Sequence, residues 1–457
     1  MPSSGQLLED EGREPIPPAI PGEGIREVKY TDRRTNVVRL LPSGSQERRL
    51  RRLASISARL FNEVNYERRQ QFFQQQHVDF EGTWDKYYER YKGALGVNAQ
   101  AVLQKNNEAW SSFFSLLKLK KEGKLPPHMK RVGPPKYWKD REGKERRLIL
   151  VVRQDRYIVD EMNHRLVLRD FNMEIDFAGR LRWHGKQGRL EIRYDEARRA
   201  WYASIPVEVG VETTRNGNES KHIVRGERRS IQIAGPRGDG AAGVDLGINL
   251  LASAVTSGGT WLLYRGSRAK GDFFYLTKKI AKIESEADSA RNAGDNEEFR
   301  RLNRRRRRLF RKLVRRMAHL YWNLANHLVR GLWELGVSKI YLGYPYDIAQ
   351  DRGNKLTSNM WRYRELMDAI ELKAQEYGIR VYEVVEYSTS NHCAVHGAKV
   401  ARGPRGVVTC PLGHKLHSDL SGALNILRRG AGSIPAAVGR PLSFLVDHNG
   451  VAPVKGA

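Results

Sequence analysis

At residues 242–251 the chain reads Ala242-Gly243-Val244-Asp245-Leu246-Gly247-Ile248-Asn249-Leu250-Leu251. Two apolar runs flank an aspartate and a glycine turn, which predicts two buried strands with Asp245 where they meet. A buried carboxylate is costly unless a cation holds it, so Asp245 is a candidate metal ligand. Asp-x-Gly is also ordinary turn chemistry, and this segment alone leaves both interpretations open.

The composition of the chain indicates a polyanionic partner. Its 457 residues include 80 Lys and Arg against 52 Asp and Glu, a formal net charge of +28. The sequence has no run of about 18 apolar residues and no basic-then-apolar leader. No membrane partner is therefore expected, and we expect the protein inside the cell. The two cysteines, Cys393 and Cys410, are too few for a disulfide scaffold.

The first half of the chain predicts a small β-barrel with helices inserted in it. Residues 1–25 are rich in proline and acidic residues and predict a disordered tail. Residues 26–45 and 136–236 carry strand patterns, including a strand, a turn and a second strand over residues 26–41 and a hairpin over residues 190–207. Residues 46–135 have helical periodicity and many arginines. A solvated helix face explains any single arginine, and only their clustering favours phosphate contacts.

The second half of the chain predicts an α/β domain. Strand signals around Asp245 precede a long helical region, residues 272–335, which is interrupted near Gly294. Five consecutive arginines, residues 304–308, repel one another unless an anion neutralises them. Later strand and helix signals complete an alternation that suits an RNase H-like sheet. The predicted nucleic-acid-binding residues of both halves are Arg48, Arg51, Arg52, Arg59, Arg304, Arg305, Arg307, Arg308, Arg311 and Lys312.

Two close Cys–His pairs lie near the end of the chain. Cys393-x-x-His396 and Cys410-x-x-x-His414 offer four ligands of the type and spacing that tetrahedral zinc uses. Both cysteines of the chain fall here, which favours zinc over free cysteines beside surface histidines. Asp419 follows at a predicted helix start, where the helix dipole favours a carboxylate with or without a metal.

The ordered combination of these motifs resembles the TnpB family of transposon-encoded RNA-guided DNA nucleases, which is related to type V CRISPR effectors and Fanzor proteins. The resemblance lies in Gly243-Val244-Asp245-Leu246-Gly247-Ile248-Asn249, in Thr389-Ser390-Asn391-His392-Cys393, and in Ser418-Asp419 leading to Ala423-Leu424-Asn425-Ile426. It implies a multidomain α+β fold with a wedge β-barrel (26–45 and 136–236), an inserted helical recognition domain (46–135), a RuvC-type RNase H-like α/β nuclease domain (237–391 and 416–430), an inserted zinc-binding element (392–415) and a flexible C-terminal tail (431–457).

The resemblance also implies the catalytic residues. Asp245 would be the first RuvC carboxylate and Asp419 the third. The family's second glutamate ends the strand at residues 339–345, where this chain has Gly343. We predict that Glu386 replaces it. Glu383, expected on the same side of its strand, and the loop residues Asp347 and Asp351 are the alternatives.

These features predict an RNA-guided DNA endonuclease that cuts target DNA beside a short motif. Asp245 would bridge two Mg²⁺ ions, with Glu386 and Asp419 each completing one coordination sphere, and Zn²⁺ would hold the Cys–His pairs. The expected partners are a guide RNA from the transposon end and double-stranded target DNA. The protein would act as a monomer or homodimer in the cytoplasm, at the nucleoid, or in a eukaryotic nucleus.

Three other functions stay open. The glycine at 343 invites a guided DNA-binding protein that does not cut. A DNA-strand transferase could use the same metal site, and an unguided zinc-binding RNA-binding protein is the least specific reading. The aromatic residues Trp84, Tyr87, Tyr88 and Tyr91 could stack on unpaired bases, although the core is the commoner place for such side chains.

Overall fold

The computed structural model describes residues 24–125, 129, 131–139, 146–212, 214–215, 218–219, 222–248, 250–344, 362–385 and 391–454. The chain divides into two compact units, one formed by Thr31–Ile231 and the other by the residues on either side of it. Both contain helices and sheets, so the protein is a mixed α and β multidomain protein, as predicted. Among the described helices, none is long and apolar enough to cross a bilayer.

The unit Thr31–Ile231 combines one large antiparallel sheet with three helices. Strand β1 (Ile25–Glu27) precedes this unit in the chain and belongs to the other one. The strands of the unit are β2 (Arg33–Leu40), β3 (Ile149–Val152), β4 (Tyr157–Asp160), β5 (Arg165–Leu168), β6 (Met173–Ala178), β7 (Gly185–Gln187), β8 (Leu190–Asp195), β9 (Ala200–Val209), β10 (Thr214–Arg215), β11 (Asn218–Glu219) and β12 (Ile223–Val224). Its helices are α1 (Gly44–Phe73), α2 (Phe80–Leu95) and α3 (Asn98–Lys121).

The nine-stranded sheet has the order β12-β7-β9-β2-β6-β5-β4, and β8 joins β3 to β9. β2 and β9 pair along their length, from Arg33 opposite Glu208 to Leu40 opposite Trp201. Buried and half-buried residues alternate along β9, as expected for a strand with one face on the core. The three helices enter the chain between β2 and β3, where the helical periodicity placed them.

Arg68 joins the three helices from inside. Its side chain is fully buried and donates hydrogen bonds to Thr83 Oγ1 (2.9 Å), Asn106 Oδ1 (2.8 Å) and Asn107 Oδ1 (2.6 Å). Burial lowers the pKa of this guanidinium to about 10, against the nearby charges of Asp79 and Glu67. A buried cation of this kind is a structural element and not a phosphate contact.

The other unit is built on an eight-stranded sheet of order β1-β17-β16-β13-β14-β15-β21-β22. Its strands after β12 are β13 (Gly240–Asp245), β14 (Leu250–Thr256), β15 (Trp261–Arg265), β16 (Val337–Tyr344), β17 (Arg380–Val385), β18 (Ala401–Arg402), β19 (Val407–Thr409), β20 (Lys415–His417), β21 (Leu442–Val446) and β22 (Val451–Pro453). Its helices are α4 (Ser267–Asn292), α5 (Asn296–Glu334), α6 (Tyr363–Glu376) and α7 (Ser418–Ala431). β18, β19 and β20 form a separate small sheet.

Helices cover both faces of the eight-stranded sheet. On one face, α5 and α6 bury residues such as Leu328 and Ile370 against Val244 and Leu342. On the opposite face, Leu427 of α7 packs with Tyr341 and Val384. The break between α4 and α5 falls at Gly294, which has a left-handed φ of 75°, where the sequence predicted an interruption.

Two sequence-based expectations are wrong because the strands find distant partners. β1 pairs antiparallel with β17, with Ile25 opposite Val384, so this strand is not part of the predicted barrel of residues 26–45 and 136–236. The hairpin predicted over residues 190–207 is confirmed, because β8 pairs antiparallel with β9. The predicted flexible tail, residues 431–457, instead contains two strands. β21 pairs parallel with β15, and Val446 is fully buried in the main core of this unit.

Candidate active site and metal centre

Asp245 is the last residue of β13 and its carboxylate rests on helix α7. A Cβ atom at Gly422 of α7 would overlap Asp245 Oδ2. Two residues earlier, on the same face of β13, a Cβ atom at Gly243 would overlap the backbone of Ala423 and Leu427. The strand and the helix therefore touch through two glycines, and this close approach fixes Asp245 against the first turns of α7.

Asp419 lies in the first turn of the same helix. It precedes Gly422 by three residues, which places both on one side of α7. His417 caps the helix: its Nδ1 accepts a hydrogen bond from the Asp419 backbone N–H (3.3 Å) and lies 3.4 Å from Asp419 Oδ2. Burial raises the pKa of the Asp419 carboxyl, although His417, Ser418 and Arg402 act in the opposite direction. The structure thus brings Asp245 and Asp419 to the same end of the β13–α7 contact.

The structure does not describe the residue predicted as the second carboxylate, Glu386. Glu386, Asp347 and Asp351 all lie outside the described residues. The strand positions that lead to the site are described. β13 and β16 run parallel with Val244 beside Leu342, and β16 pairs Gly343 with Val384 of β17.

Glu383 does not lie beside Asp245. Glu383 pairs with Leu342 of β16, and Leu342 pairs with Val244 of β13. The side chains of Glu383 and Val244 therefore point to the same face of the sheet. Asp245 follows Val244 by one residue, so its side chain points to the opposite face. Glu383 forms an ion pair with Arg364 of α6. The expectation that Glu383 is an alternative ligand on the catalytic side is therefore wrong, because one residue of register changes the face.

The two Cys–His pairs converge. Cys393 Sγ lies 3.8 Å from His414 Nδ1, and His396 Nδ1 lies 3.5 Å from Cys410 Sγ. The ligand atoms of Cys393, His396 and His414 all lie within 4.8 Å of one another, which no other such group of His, Cys, Asp or Glu does in the described part of the chain. One thiol and two imidazoles at this separation are ligands that suit a metal ion, and Cys410, outside this group of three but beside His396, is the fourth candidate ligand.

Local turns make this convergence possible. Cys393 O accepts from the Gly397 N–H (2.8 Å), and Cys410 O accepts from the Gly413 N–H (3.0 Å). Both glycines have left-handed φ, 71° and 94°, a conformation that side chains disfavour. Burial raises the pKa of the Cys393 thiol, but hydrogen bonds from the His396 backbone and from His414 outweigh it and leave the pKa below its usual value. A lowered thiol pKa favours the thiolate that binds a metal.

The metal centre is attached to α7. Ser421 Oγ (3.3 Å) and Asn425 Nδ2 (2.8 Å) donate to the carbonyl of His392, and Arg428 donates to the carbonyl of Ala394 (2.9 Å). The helix that carries Asp419 therefore also anchors the segment that carries Cys393. These partners lie about 30 residues apart in the chain, and the sequence gave no signal for these contacts.

The predicted nucleic-acid-binding residues lie mostly on exposed helix surface. Arg48, Arg52 and Arg59 of α1 are exposed, as are Arg304, Arg305, Arg308, Arg311 and Lys312 of α5, while Arg51 and Arg307 are half-buried. Arg51 pairs with Glu47 (2.7 Å) and lies 4.1 Å from the ring centre of Tyr194. Within the arginine run, Arg306 turns towards α4 and pairs with Glu284 (2.6 Å).

The aromatic residues of α2 belong to the core. Tyr87 and Tyr91 are buried, and their hydroxyls donate to Glu67 (2.9 Å) and Glu63 (2.8 Å). Trp84 and Tyr88 pack against the same cluster. The core, the commoner place for such side chains, is therefore where this group lies.

Comparisons with known proteins match most of the chain. Residues 204–349 match OrfB_IS605, a family described as a probable transposase. Residues 363–426 match the Cas12f1-like TNB domain. The chain is 65% identical over 456 residues to the TnpB-like protein ORF457 of Acidianus two-tailed virus, covering 100% of this chain and 99% of that protein.

Solved structures show a more distant likeness. A Cas12f1–sgRNA–target DNA complex aligns with a TM-score of 0.45 and 14% identity, over 83% of this chain and 81% of that one. The mini-RNA-guided endonuclease CRISPR-Cas_phi3 aligns with a TM-score of 0.34 and 15% identity, over 55% and 52% of the two chains.

Proposed function

The chain belongs to the TnpB family, and from that premise we propose that it is an RNA-guided DNA endonuclease that cuts target DNA beside a short motif. The relative that spans its whole length supports the family. The observation that carries the proposed chemistry is the packing of the Asp245 carboxylate on Gly422, on the same side of α7 as Asp419. Two carboxylates from strands and helices distant in sequence are what a nuclease metal site requires.

In this proposal Asp245, Asp419 and Glu386 hold divalent cations. Two Mg²⁺ ions would neutralise the scissile phosphate and activate the attacking water. Glu386 is the proposed third ligand because it follows Val384 by two residues, and Val384 packs with α7 on the sheet face that Asp245 uses. Asp245 would be one of the residues that hold these cations, and the His417 cap would hold the Asp419 backbone in place.

The two units receive roles by the same reasoning. We assign the nine-stranded sheet to the wedge barrel and α1–α3 to the inserted recognition domain. The eight-stranded sheet with α4–α7 would be the RuvC-type nuclease domain. Residues 392–415 would be its zinc-binding element, with Cys393, His396, Cys410 and His414 as four ligands that leave no open position and so make the zinc structural.

The proposed partners are a guide RNA and double-stranded DNA. A chain with a formal charge of +28 attracts polyanions over long distances. The exposed arginines of α1 and α5 would contact phosphates, which position the nucleic acid without reading its sequence. Sequence selection would come from base pairing between the guide and the target strand.

The test is a cleavage assay with the RNA that co-purifies with the protein. That RNA would be sequenced, and matching plasmid targets would be incubated with the complex and Mg²⁺. We expect cleavage by the native protein and none by Asp245→Ala, Asp419→Ala or Glu386→Ala. Glu383→Ala is the matched control, because Glu383 lies on the opposite sheet face and pairs with Arg364, and it should still cut.

Three outcomes would contradict the proposal. Cleavage by Asp245→Ala would remove the metal site as its basis. If Glu386→Ala cleaves the target normally and Glu383→Ala does not cleave it, the choice of Glu386 as the third carboxylate is wrong. Guided target binding without any cleavage would instead establish a DNA-binding protein that does not cut, the function that Gly343 makes the second candidate.

A further inference from the structure

Helix α1 exposes two large aromatic rings to solvent. Tyr66 is 57% exposed and Phe73 is 59% exposed. Seven residues separate them, about two helical turns or 10 Å along the axis, so both lie on one side of α1. A single exposed ring is ordinary. Two exposed rings on the same side of one helix place two flat apolar surfaces in a line.

Cations lie between and beside these rings. The Arg69 guanidinium is 5.2 Å from the ring centre of Phe73 and 5.3 Å from that of Tyr137. Hydrogen bonds from Arg69 to the carbonyls of Pro134 (3.3 Å) and Pro135 (2.9 Å) fix this position. Lys139 Nζ lies 5.3 Å from the Tyr137 ring. We call Tyr66, Arg69, Phe73, Tyr137 and Lys139 the aromatic platform.

We propose that the aromatic platform binds unpaired nucleotides of single-stranded RNA, with bases stacked on its rings and phosphates beside Arg69 and Lys139. A second copy of this chain is a poor occupant, because each copy carries a formal charge of +28 and repels the other. A polyanion is attracted, and flat apolar rings add a contact that phosphates alone do not use. Aromatic rings combined with cations are the usual surface for unpaired bases.

The platform distinguishes unpaired from paired strands by a physical requirement. A ring can stack only on a base whose face is exposed, and a duplex hides those faces within its own stack. A duplex would gain only the phosphate contacts of the cations. Two of the three rings are tyrosines, whose hydroxyls can bond the ribose 2′-OH that DNA lacks, which favours RNA over DNA.

This inference rests on the proposed function only for the presence of RNA, and its test does not use cleavage. The full-length protein, freed of nucleic acid and without Mg²⁺, would be titrated into a fluorescein-labelled 20-nucleotide oligo(U). Matching oligo(dT) and a 20-base-pair RNA duplex are the other two probes. We expect each of Tyr66→Ala, Phe73→Ala and Tyr137→Ala to weaken oligo(U) binding about fivefold or more, with duplex affinity unchanged.

Controls separate stacking from charge and from folding. Phe73→Tyr keeps the ring and should bind like the native protein. Met162→Ala changes a side chain that is 94% exposed elsewhere in the same unit and should have no effect. The slope of affinity against salt should be the same in the alanine variants, since no phosphate contact is removed.

Failure of the aromatic platform proposal can be told apart from failure of the proposed nuclease function. A variant that combines Tyr66→Ala, Phe73→Ala and Tyr137→Ala completes the test. If it binds oligo(U) within twofold of the native protein, or loses duplex affinity equally, the platform is not a stacking site. Equal loss for oligo(dT) and oligo(U) would overturn the assignment to RNA. Asp245→Ala should bind oligo(U) normally, because the platform and the proposed metal site lie in different units of the chain.

Discussion

Gly422 and Gly243 set how closely α7 approaches β13. Neither glycine has a left-handed φ, so what the chain needs at these positions is the absence of a side chain and not backbone freedom. At Gly422 the space of a methyl group is filled by the Asp245 carboxylate. At Gly243 it is filled by the α7 backbone. A small residue at each site is therefore part of how Asp245 is held.

We predict that Gly422→Ala strongly reduces DNA cleavage. The added methyl group overlaps Asp245 Oδ2, and displacing a metal-binding oxygen by about 1 Å can cost about 100-fold in rate. The measurement is the single-turnover cleavage rate with guide and Mg²⁺. Gly93→Ala in α2 is the control, since nothing lies within 4 Å of its Cβ position, and it should cut normally. Native rates in Gly422→Ala would show that the Asp245 position is not critical.

Glu371 on α6 is a buried carboxylic acid. The residue is 8% exposed. Its Oε1 lies 3.7 Å from Arg364 Nη2 but has no hydrogen-bond partner among the described residues. Burial raises the pKa of Glu371 to about 7. Arg364 and Arg26 oppose the rise, and Glu383 and Asp368 add to it. Because the pKa is higher in the folded state than in the unfolded state, the folded protein binds this proton more tightly.

The expected consequence is a stability that falls as pH rises. The Glu371 contribution is complete below about pH 4.5 and is lost as pH approaches 7, for a change of up to about 3 kcal/mol. The native protein should therefore lose unfolding free energy between pH 5 and pH 7, and Glu371→Gln should lose much less. Urea midpoints at intervals of one pH unit measure this. Glu365→Gln, at a half-exposed position of the same helix whose charge is not among those that act on Glu371, should keep the native slope. An unchanged slope in Glu371→Gln would contradict the prediction.

At the level of elements, α7 connects the two candidate metal sites. Its first turn carries Asp419, and the next two turns hold the His392 and Ala394 carbonyls through Ser421, Asn425 and Arg428. A metal bound by Cys393 and its partners would fix the segment that these side chains grip. The order of the first turn of α7 is then linked to the occupancy of the Cys–His site.

We predict that the protein contains one tightly bound zinc ion and that Cys410→Ser removes it. Loss of a ligand from a four-ligand site weakens the metal strongly, and metal binding is part of the folding free energy of such sites. Metal content by mass spectrometry and thermal unfolding are the two measurements. A strong chelator should lower the unfolding temperature of the native protein but not of Cys410→Ser. His319→Ala, at an exposed histidine of α5, should retain the zinc.

At the level of the whole molecule, the excess of positive charge governs nucleic-acid affinity. Not every cationic side chain is available to a nucleic acid, because many of them already form ion pairs within the protein. Arg306 pairs with Glu284 and Arg316 with Asp272, and Arg68 is buried among α1, α2 and α3. Exposed arginines of α1 and α5, such as Arg48, Arg304 and Arg308, lie where phosphates can reach them.

We predict that Arg304→Ala and Arg308→Ala together lower the salt dependence of duplex DNA binding. Each lost phosphate contact should reduce the slope of log affinity against log salt by about 0.9, or about 1.8 for the pair. Anisotropy titrations at several salt concentrations measure the slope. Arg306→Ala, in the same run but facing Glu284, should leave the slope unchanged and lower stability instead. An unchanged slope in the double variant would place duplex binding elsewhere.

Local patterns in the chain were enough to predict much of this architecture. Helical periodicity located α1–α5, including the break at Gly294, because the spacing of apolar residues reflects the helix face directly. The spacing of Cys393, His396, Cys410 and His414 predicted that these side chains converge on a candidate metal centre, since each pair closes within a single turn. Net charge indicated a nucleic-acid partner because it needs no knowledge of the fold.

Tertiary structure alone settled which distant segments meet. Pairing of β1 with β17 and of β21 with β15 joins residues far apart in sequence, and no local pattern encodes a strand's partner. It put Glu383 on the face opposite Asp245, because a shift of one residue along a strand reverses the side chain. It also buried Arg68, Tyr87 and Tyr91 while exposing Tyr66 and Phe73, since burial depends on the neighbours that packing brings to each helix and not on the residue type.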